Sequence, residues 1–228
     1  MRAWASRLAS SGAGSAVTSR HTGVGIWRRT LDVVGSAVAM ALLVPLLLTI
    51  AVAVKVTSSG PVLFQQVRLT GGWREFSILK FRTMRVTQGG PEITAHRDAR
   101  ITAVGRVLRR SHLDELPQLV NILRGEMTLV GPRPETPALA VRYPPECRWV
   151  FEHRPGLTGP TQARSRDLNN IPLDVVDTEQ WYLEHLVPQR VTMDATFLDH
   201  PTVAAVFRVL IETARHLVRR EPPQAAAG

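Results

Sequence analysis

From Val33 to Val54 the chain runs 22 residues without a charge. At about 1.5 Å per residue, a straight helix of that length measures about 33 Å, enough to cross a ~30 Å hydrocarbon core. A core helix of a soluble protein is rarely so long and so free of charge. Pro45 sits near the middle of the run, where it removes a backbone donor and crowds the preceding turn. Neither half, Val33–Val44 or Leu46–Val54, is long enough to cross alone. Two arrangements follow: a kinked spanning helix, or a helix broken at Pro45 that returns to the side it left. Arg28 and Arg29 precede the run, and Lys55, Arg68, Arg74 and Lys80 follow it. Basic flanks draw both ends to the cytoplasm, a demand that only the re-entrant form meets. Trp27 suits an interfacial anchor.

Around this segment the chain divides simply. Residues 1–25 hold Arg2, Arg7 and Arg20, no acid and no periodicity, and read as a disordered basic arm. A secretory signal fits poorly, since the apolar run starts late and no small-residue cleavage site ends it; a transit peptide shares the composition. Residues 26–56 form the membrane segment, 57–220 one catalytic domain, and 221–228 a frayed tail. A hydrophobic share of 44 % supports a packed core and excludes global disorder. Lys and Arg total 28 against 19 Asp and Glu, a net charge of +9 that favours anionic partners. The single cysteine, Cys147, permits no intrachain disulfide.

In the soluble part, Pro61–Leu69 and Trp73–Met84 read as two strands of a hairpin turning at Gly71 and Gly72. The period of two puts Phe76, Ile78, Lys80 and Arg82 on one face, with the basic pair projecting beyond the core. A polar loop covers Val86–Arg97. Helices are expected over Ile101–Arg110 and from Asp114–Leu116 to Leu123, the second because Pro117 is tolerated only in a first turn. Near the end, Val203, Phe207, Leu210, Ala214 and Leu217 share a helical face, with Arg208, Arg215, Arg219 and Arg220 supplying charge. Such a helix can lie on a membrane surface or pack on the protein's own core, and spacing alone does not choose. The expected fold is α/β: a broken N-terminal membrane helix, a small domain with a β-hairpin, and interfacial amphipathic helices.

Asp114 and Glu115 are adjacent acids at an expected helix start. Alone they would merely complement the helix dipole. Their neighbours change that reading. Arg109 lies just upstream, Arg133 is clamped between Pro132 and Pro134, Arg154 opens another Pro-Gly loop, and Lys80 and Arg82 point from a strand. Carboxylates with several fixed cations suit a Mg²⁺-bound diphosphate, the acids holding the metal and the Arg forks holding phosphate oxygens. No aromatic stacking motif or zinc-finger spacing supports nucleic-acid binding, and no H-E-x-x-H, P-loop, serine elbow or Asp-x-Asp occurs. The residues by themselves reach phosphate chemistry at a bilayer.

The stretch from Asp114 to Pro134, DELPQLVNILRGEMTLVGPRP, strongly resembles the signature of the bacterial sugar transferases, the monotopic phosphoglycosyl transferases. So do KFRTM from Lys80, RPGLTGPTQ from Arg154, RRTLD from Arg28 and GPVLF from Gly60, so that the resemblance covers Arg28 to Arg220. It implies transfer of a phosphosugar from a UDP-sugar to polyprenol (undecaprenyl) phosphate, with release of UMP. That step opens polysaccharide or glycoconjugate assembly at the cytoplasmic face of the membrane. The resemblance also implies Mg²⁺ and a covalent phosphosugar–Asp intermediate. Carried over, Asp114 is the nucleophile and a metal ligand, and Glu115 binds the metal beside it. Arg109, Arg133 and Arg166 contact phosphate or nucleotide, Arg82 and Arg154 join the substrate site, and Lys80 and Gln162 line it. Asp194 resembles a later family acid. Membrane lipid is a partner; a homodimer and downstream glycosyltransferases stay open, as does a silent scaffold role. Val44-Pro45 replaces the usual Ser-Pro, Gly-Pro-Thr-Gln replaces Gly-(Trp/Leu)-Ala-Gln, Ser165 stands where a Gly is typical, and an acid is missing near Ala204–Ala205.

Overall fold

The computed structural model describes residues 25–85, 100–164, 177–199 and 201–218. The basic arm apart from Gly25, the loop Val86–Arg97, Arg166, Arg219, Arg220 and the tail lie outside them. Helix α1 (Ile26–Thr57) is 32 residues long and holds Pro45 in its interior. The break expected at Pro45 is therefore not an interruption of the helix. Proline removes one N–H but need not end a helix whose two halves are each packed, and the Thr49 hydroxyl donates to the Pro45 carbonyl at 2.9 Å.

Helix α1 is held along its whole length by one folded body. Near its start, the Asp32 carboxylate is buried and accepts from the Thr128 hydroxyl (2.8 and 2.9 Å) and the Leu129 N–H (2.9 Å). Arg29 donates to the carbonyls of Ile122 and Leu123 at 2.6 and 2.8 Å. In the middle, Ala39, Met40 and Leu43 pack on Phe76, Ile78, Leu119, Ile122 and Met127. Toward the end, Leu47, Ile50 and Val54 pack on Phe81 and Leu108. Each such side chain buried fully contributes about 1.5–3 kcal/mol. The opposite face exposes Val34, Val38, Leu42, Leu48, Val52 and Val56. The helix is long and apolar enough to cross a membrane, yet both of its ends engage the same domain.

Strands β1 (Leu63–Thr70) and β2 (Arg74–Phe81) pair antiparallel, from Leu63 opposite Phe81 to Thr70 opposite Arg74. The hairpin is as expected; its turn takes in Trp73, which adopts φ 58° beside Gly72 at φ 72°. Helix α2 (Ala103–Ser111) is capped by the Thr102 hydroxyl. A 3-10 turn (Leu113–Glu115) carries the acid pair, and Pro117 then caps helix α3 (Gln118–Arg124). From α3, the fully buried Asn121 closes the free edge of β2: its Oδ1 accepts from Leu79 N–H at 3.0 Å and its Nδ2 donates to the Ser77 carbonyl at 2.8 Å. Strands β3 (Thr128–Val130) and β4 (Gly156–Thr158) pair parallel. Between them lie helix α4 (Pro137–Ala140) and a 3-10 segment (Pro145–Glu152). Helices α5 (Pro160–Arg164), α6 (Thr178–Trp181), α7 (Val187–Asp199, entered through a π turn) and α8 (Val203–Val218) complete the domain.

The docking face of α8 is not the expected one. Val206 and Val209 are buried against Val130, Ala163, Phe197 and Leu198. Val203, Phe207 and Ile211 remain about half exposed, beside Arg208 and Arg215. The helix has two apolar faces: one packs on the protein's own core, as one of the two expected arrangements has it, and the other is left exposed.

Asp32→Ala leaves two buried donors without an acceptor, which costs about 3 kcal/mol. Thermal unfolding in nanodiscs should show the melting temperature falling by roughly 5–10 °C, with Asp32→Asn falling less. An unchanged melting temperature would mean that the helix does not depend on this contact.

Candidate active site

Hairpin, acid turn and two glycine-rich loops meet at one cleft, lined by Lys80, Glu115, Gln118, Arg133, Gln162 and Arg68 among others. β2 delivers Lys80, whose Nζ lies 2.7 Å from Glu115 Oε1. Asn121 sets this distance, because it ties α3, and so the turn before it, to the edge of β2. Arg133 stands exposed at the rim on the Pro132–Pro134 loop. Gly131 brings that loop against β4: a Cβ on Gly156 would fall 2.1 Å from Gly131 N, so no larger residue fits Gly156 without moving backbone. The same approach sets α5, and Gln162 on it, beside the acid turn.

The two acids are held differently. Burial would push the Glu115 carboxyl up, but Lys80 and Arg133, with the Lys80 hydrogen bond, outweigh it and hold Glu115 below the usual range. Burial, reinforced by the charge of Glu115, pushes the Asp114 carboxyl up, against Lys80, Arg109 and His112. Arg109 is anchored by the Thr83 hydroxyl (2.8 Å) and the Met84 thioether (3.1 Å).

Asp114, which is buried, and Arg109 do not themselves line the cleft, and two further expected residues are placed elsewhere. Arg82 is buried with its guanidinium on the C-terminal end of α1, donating to the Ser58 carbonyl at 2.7 Å, the Ser58 hydroxyl at 2.8 Å and the Val54 carbonyl at 3.4 Å. It closes a helix end and does not line the cleft. Arg154 does not line the cleft either; burial and the charges of Arg29 and Arg74 hold its guanidinium below its ordinary value. Arg166 lies outside the described residues.

The profile of the bacterial sugar transferases matches residues 24–220. The chain belongs to the bacterial sugar transferase family. Among its relatives is a UDP-glucose:undecaprenyl-phosphate glucose-1-phosphate transferase of Caulobacter vibrioides, 49% identical over 146 residues, which are 62% of this chain and 55% of the relative. A UDP-N-acetylgalactosamine-undecaprenyl-phosphate N-acetylgalactosaminephosphotransferase of Aeromonas hydrophila is 40% identical over 141 residues, 60% of this chain and 33% of that protein. The exopolysaccharide production protein ExoY of Rhizobium meliloti is 35% identical over 182 residues, 70% of this chain and 80% of that protein. The match thus covers about half of the first of these relatives and a third of the second.

Within this member of the family, a buried network behind the cleft escaped the sequence reading. Glu135 Oε1 accepts from Tyr182 (2.6 Å) and Tyr143 (3.2 Å), and Arg68 reaches Glu135 Oε2 at 3.5 Å and the Pro134 carbonyl at 3.2 Å. Arg190 donates to the Tyr182 hydroxyl at 3.0 Å. Burial beside Glu135 holds both phenols well above their usual range, so both stay protonated donors. The network fixes the residue next to the Pro-Arg-Pro loop. Its contacts join residues up to 67 positions apart in sequence, so no local motif signals it. A parallel tie runs from α7 to α5, where Thr161 donates to Asp194 at 2.8 Å. Among the described residues, no group of three or more His, Cys, Asp or Glu gathers around a common point.

Burial pushes the Asp194 carboxyl up to about 7, against the Thr161 hydrogen bonds and Arg190. The folded state thus keeps a proton that the unfolded chain releases near pH 4. Stability is therefore full below that pH and falls by roughly 1.4 kcal/mol per unit as pH rises toward 7. Asp194→Asn should flatten this slope and raise the melting temperature at pH 8 relative to the parent. Parallel melting curves from pH 4 to 8 for the two proteins would refute the shift.

Proposed function

We propose that this chain transfers a sugar 1-phosphate from a UDP-sugar to undecaprenyl phosphate, at the cytoplasmic face of the membrane, releasing UMP. One observation carries the reading: the acid turn puts Glu115 in a cleft with Lys80 and Arg133, with the buried Asp114 next to it in the chain, on a body that holds an apolar helix along its whole length. The relatives' names supply the donor and acceptor classes. A polar donor and a lipid acceptor must meet the same carboxylate, and a site built beside a membrane-embedded helix can serve each in turn.

Asp114 is the nucleophile. Its carboxylate oxygen attacks the phosphorus bearing the sugar, the bond from that phosphorus to the UMP oxygen breaks, and UMP leaves with the electron pair. An oxygen of undecaprenyl phosphate then attacks the same phosphorus, freeing the carboxylate and forming the diphosphate-linked sugar. Like charges oppose both attacks, and fixed cations reduce that repulsion. Lys80 holds Glu115 ionised and in place, and Arg133 at the rim suits the departing phosphate. Asp114 and Glu115 would hold Mg²⁺, which suits an ion that takes one or two carboxylates and completes its shell with phosphate and water. When bound, it supplies charge neutralisation at the diphosphate.

The position of α1 supports insertion from one side. Its start is tied to β3 and its end to Arg82, so a spanning path would have to pull one end off the domain. The exposed stripe from Val34 to Val56 then faces lipid tails, and Val203, Phe207 and Ile211 of α8 suit the interface below it.

In nanodiscs with undecaprenyl phosphate, Asp114→Asn should lower UMP release by roughly 10³-fold or more. Donor labelled in the sugar phosphate should label the parent protein when acceptor is withheld, and should not label the variant. Near-normal turnover of Asp114→Asn would remove the covalent route. Gly25→Cys and Ser59→Cys should react with an impermeant thiol reagent from the same face of inverted vesicles; labelling from opposite faces would establish a spanning helix.

A further inference from the structure

The cations of the cleft suit the phosphates of a nucleotide-sugar, and two neutral side chains there, one of them the Gln162 expected to line the site, each leave an amide atom without a partner. Gln118, the first residue of α3, is 2 % exposed and lines the cleft, and its Nε2 has no hydrogen-bond partner. Gln162, on α5, lines the same cleft, and its Oε1 is likewise buried without a partner. Room for the second amide is built into the chain, since a Cβ on Gly159 would lie 2.7 Å from Gln162 Oε1. A buried amide donor or acceptor left unpaired is costly, and native folds seldom leave two in one small space. One unpaired group here is a donor and the other an acceptor. A phosphate offers only acceptors and would satisfy Gln118 alone. A hydroxyl offers both functions from one atom.

We propose that the amides of Gln118 and Gln162 form a neutral subsite beside the basic residues that takes a carbohydrate hydroxyl of the UDP-sugar. This rests on the donor reading above and deepens it. The hydroxyl belongs to the transferred sugar or to the ribose. Either way the subsite discriminates, because a site that hydrogen-bonds a hydroxyl rejects a donor lacking it far better than an apolar wall distinguishes two shapes.

The test uses the full chain in nanodiscs with undecaprenyl phosphate, and measures UMP release from UDP-sugars found to be turned over. Gln118→Met and Gln162→Met remove the amides at nearly constant volume. Each should raise KM for the preferred donor about tenfold, with kcat changed less. A series of donors, each lacking one hydroxyl, then locates the contact. On the donor that lacks the hydroxyl being read, parent and variant should have equal KM; on the others the tenfold gap should persist. Coincidence at a sugar-deoxy donor assigns the transferred sugar, and coincidence at a ribose-deoxy donor assigns the nucleoside. A wild-type KM in both variants, or the same loss on every donor, overturns the subsite: the amides would then hold water or serve packing. Should Gln118→Met fail to fold, Gln162→Met carries the comparison, since its side chain is only partly buried. A parent protein inert toward every UDP-sugar would overturn the donor reading and this subsite with it, a result distinct from an active parent with indifferent variants.

Discussion

The buried carboxylate of Asp32 is the contact on which the arrangement of the molecule depends. A carboxylate out of water is costly unless donors surround it, and here the donors come from Thr128 and Leu129 on one short strand. That strand, β3, runs straight into Gly131 and the Pro-Arg-Pro loop. The position of helix α1 on the domain and the position of Arg133 are therefore set by the same three residues. Arg29 adds a second tie to the end of α3, the helix that follows the acid pair. The apolar helix is thus part of the frame of the site, and not a tether attached to it.

From β3 outward, the site is assembled by close backbone approach rather than by a large sheet. Two-stranded pairings are weak in isolation, and each here is closed by something else. Asn121 supplies the missing edge partner for β2. The Gly131–Gly156 approach brings the β3 and β4 loops together, and Glu135 with its two tyrosines holds the far side of the Pro-Arg-Pro loop. The consequence is a cleft whose charged residues come from β1, β2, the acid turn and one loop, with little freedom between them.

Much of this was legible in the sequence where the signal is local. Gly71 and Gly72 announced the hairpin, the uncharged run announced α1, Pro117 marked the start of α3, and the strand period put Lys80 beyond the core, though not its pairing with Glu115. The misreadings share a cause. Arg82 continues the alternation of β2 past its end, and nothing in a strand pattern says that the last carbonyls of α1 wait there. Pro45 reads as a break only while packing on both sides of it is invisible. On α8, Phe207 and Val203 outrank Val206 and Val209 by spacing, yet the contacts of Phe197 and Val130 decide which face is buried. Glu135, Tyr143 and Tyr182 meet only after the chain has folded.

Adjacent acids are usually near-equivalent, and a site needs them to differ. Lys80 sits 2.7 Å from Glu115, which keeps that carboxylate ionised and occupies one of its oxygens. Asp114 feels the same cations only at longer range, and burial with the Glu115 charge destabilises its ionised form. A carboxylate that is poorly stabilised in the resting site gains most when a phosphorus centre accepts its electrons, because the unfavourable charge is then consumed in a bond. Glu115 would lose a salt bridge if it attacked; Asp114 has no ion pair at such short range among the described residues and would be relieved of the Glu115 repulsion. In the proposed reaction the split environments make Glu115 the fixed member of the pair and Asp114 the reactive one, the general route by which neighbouring titratable groups acquire different roles.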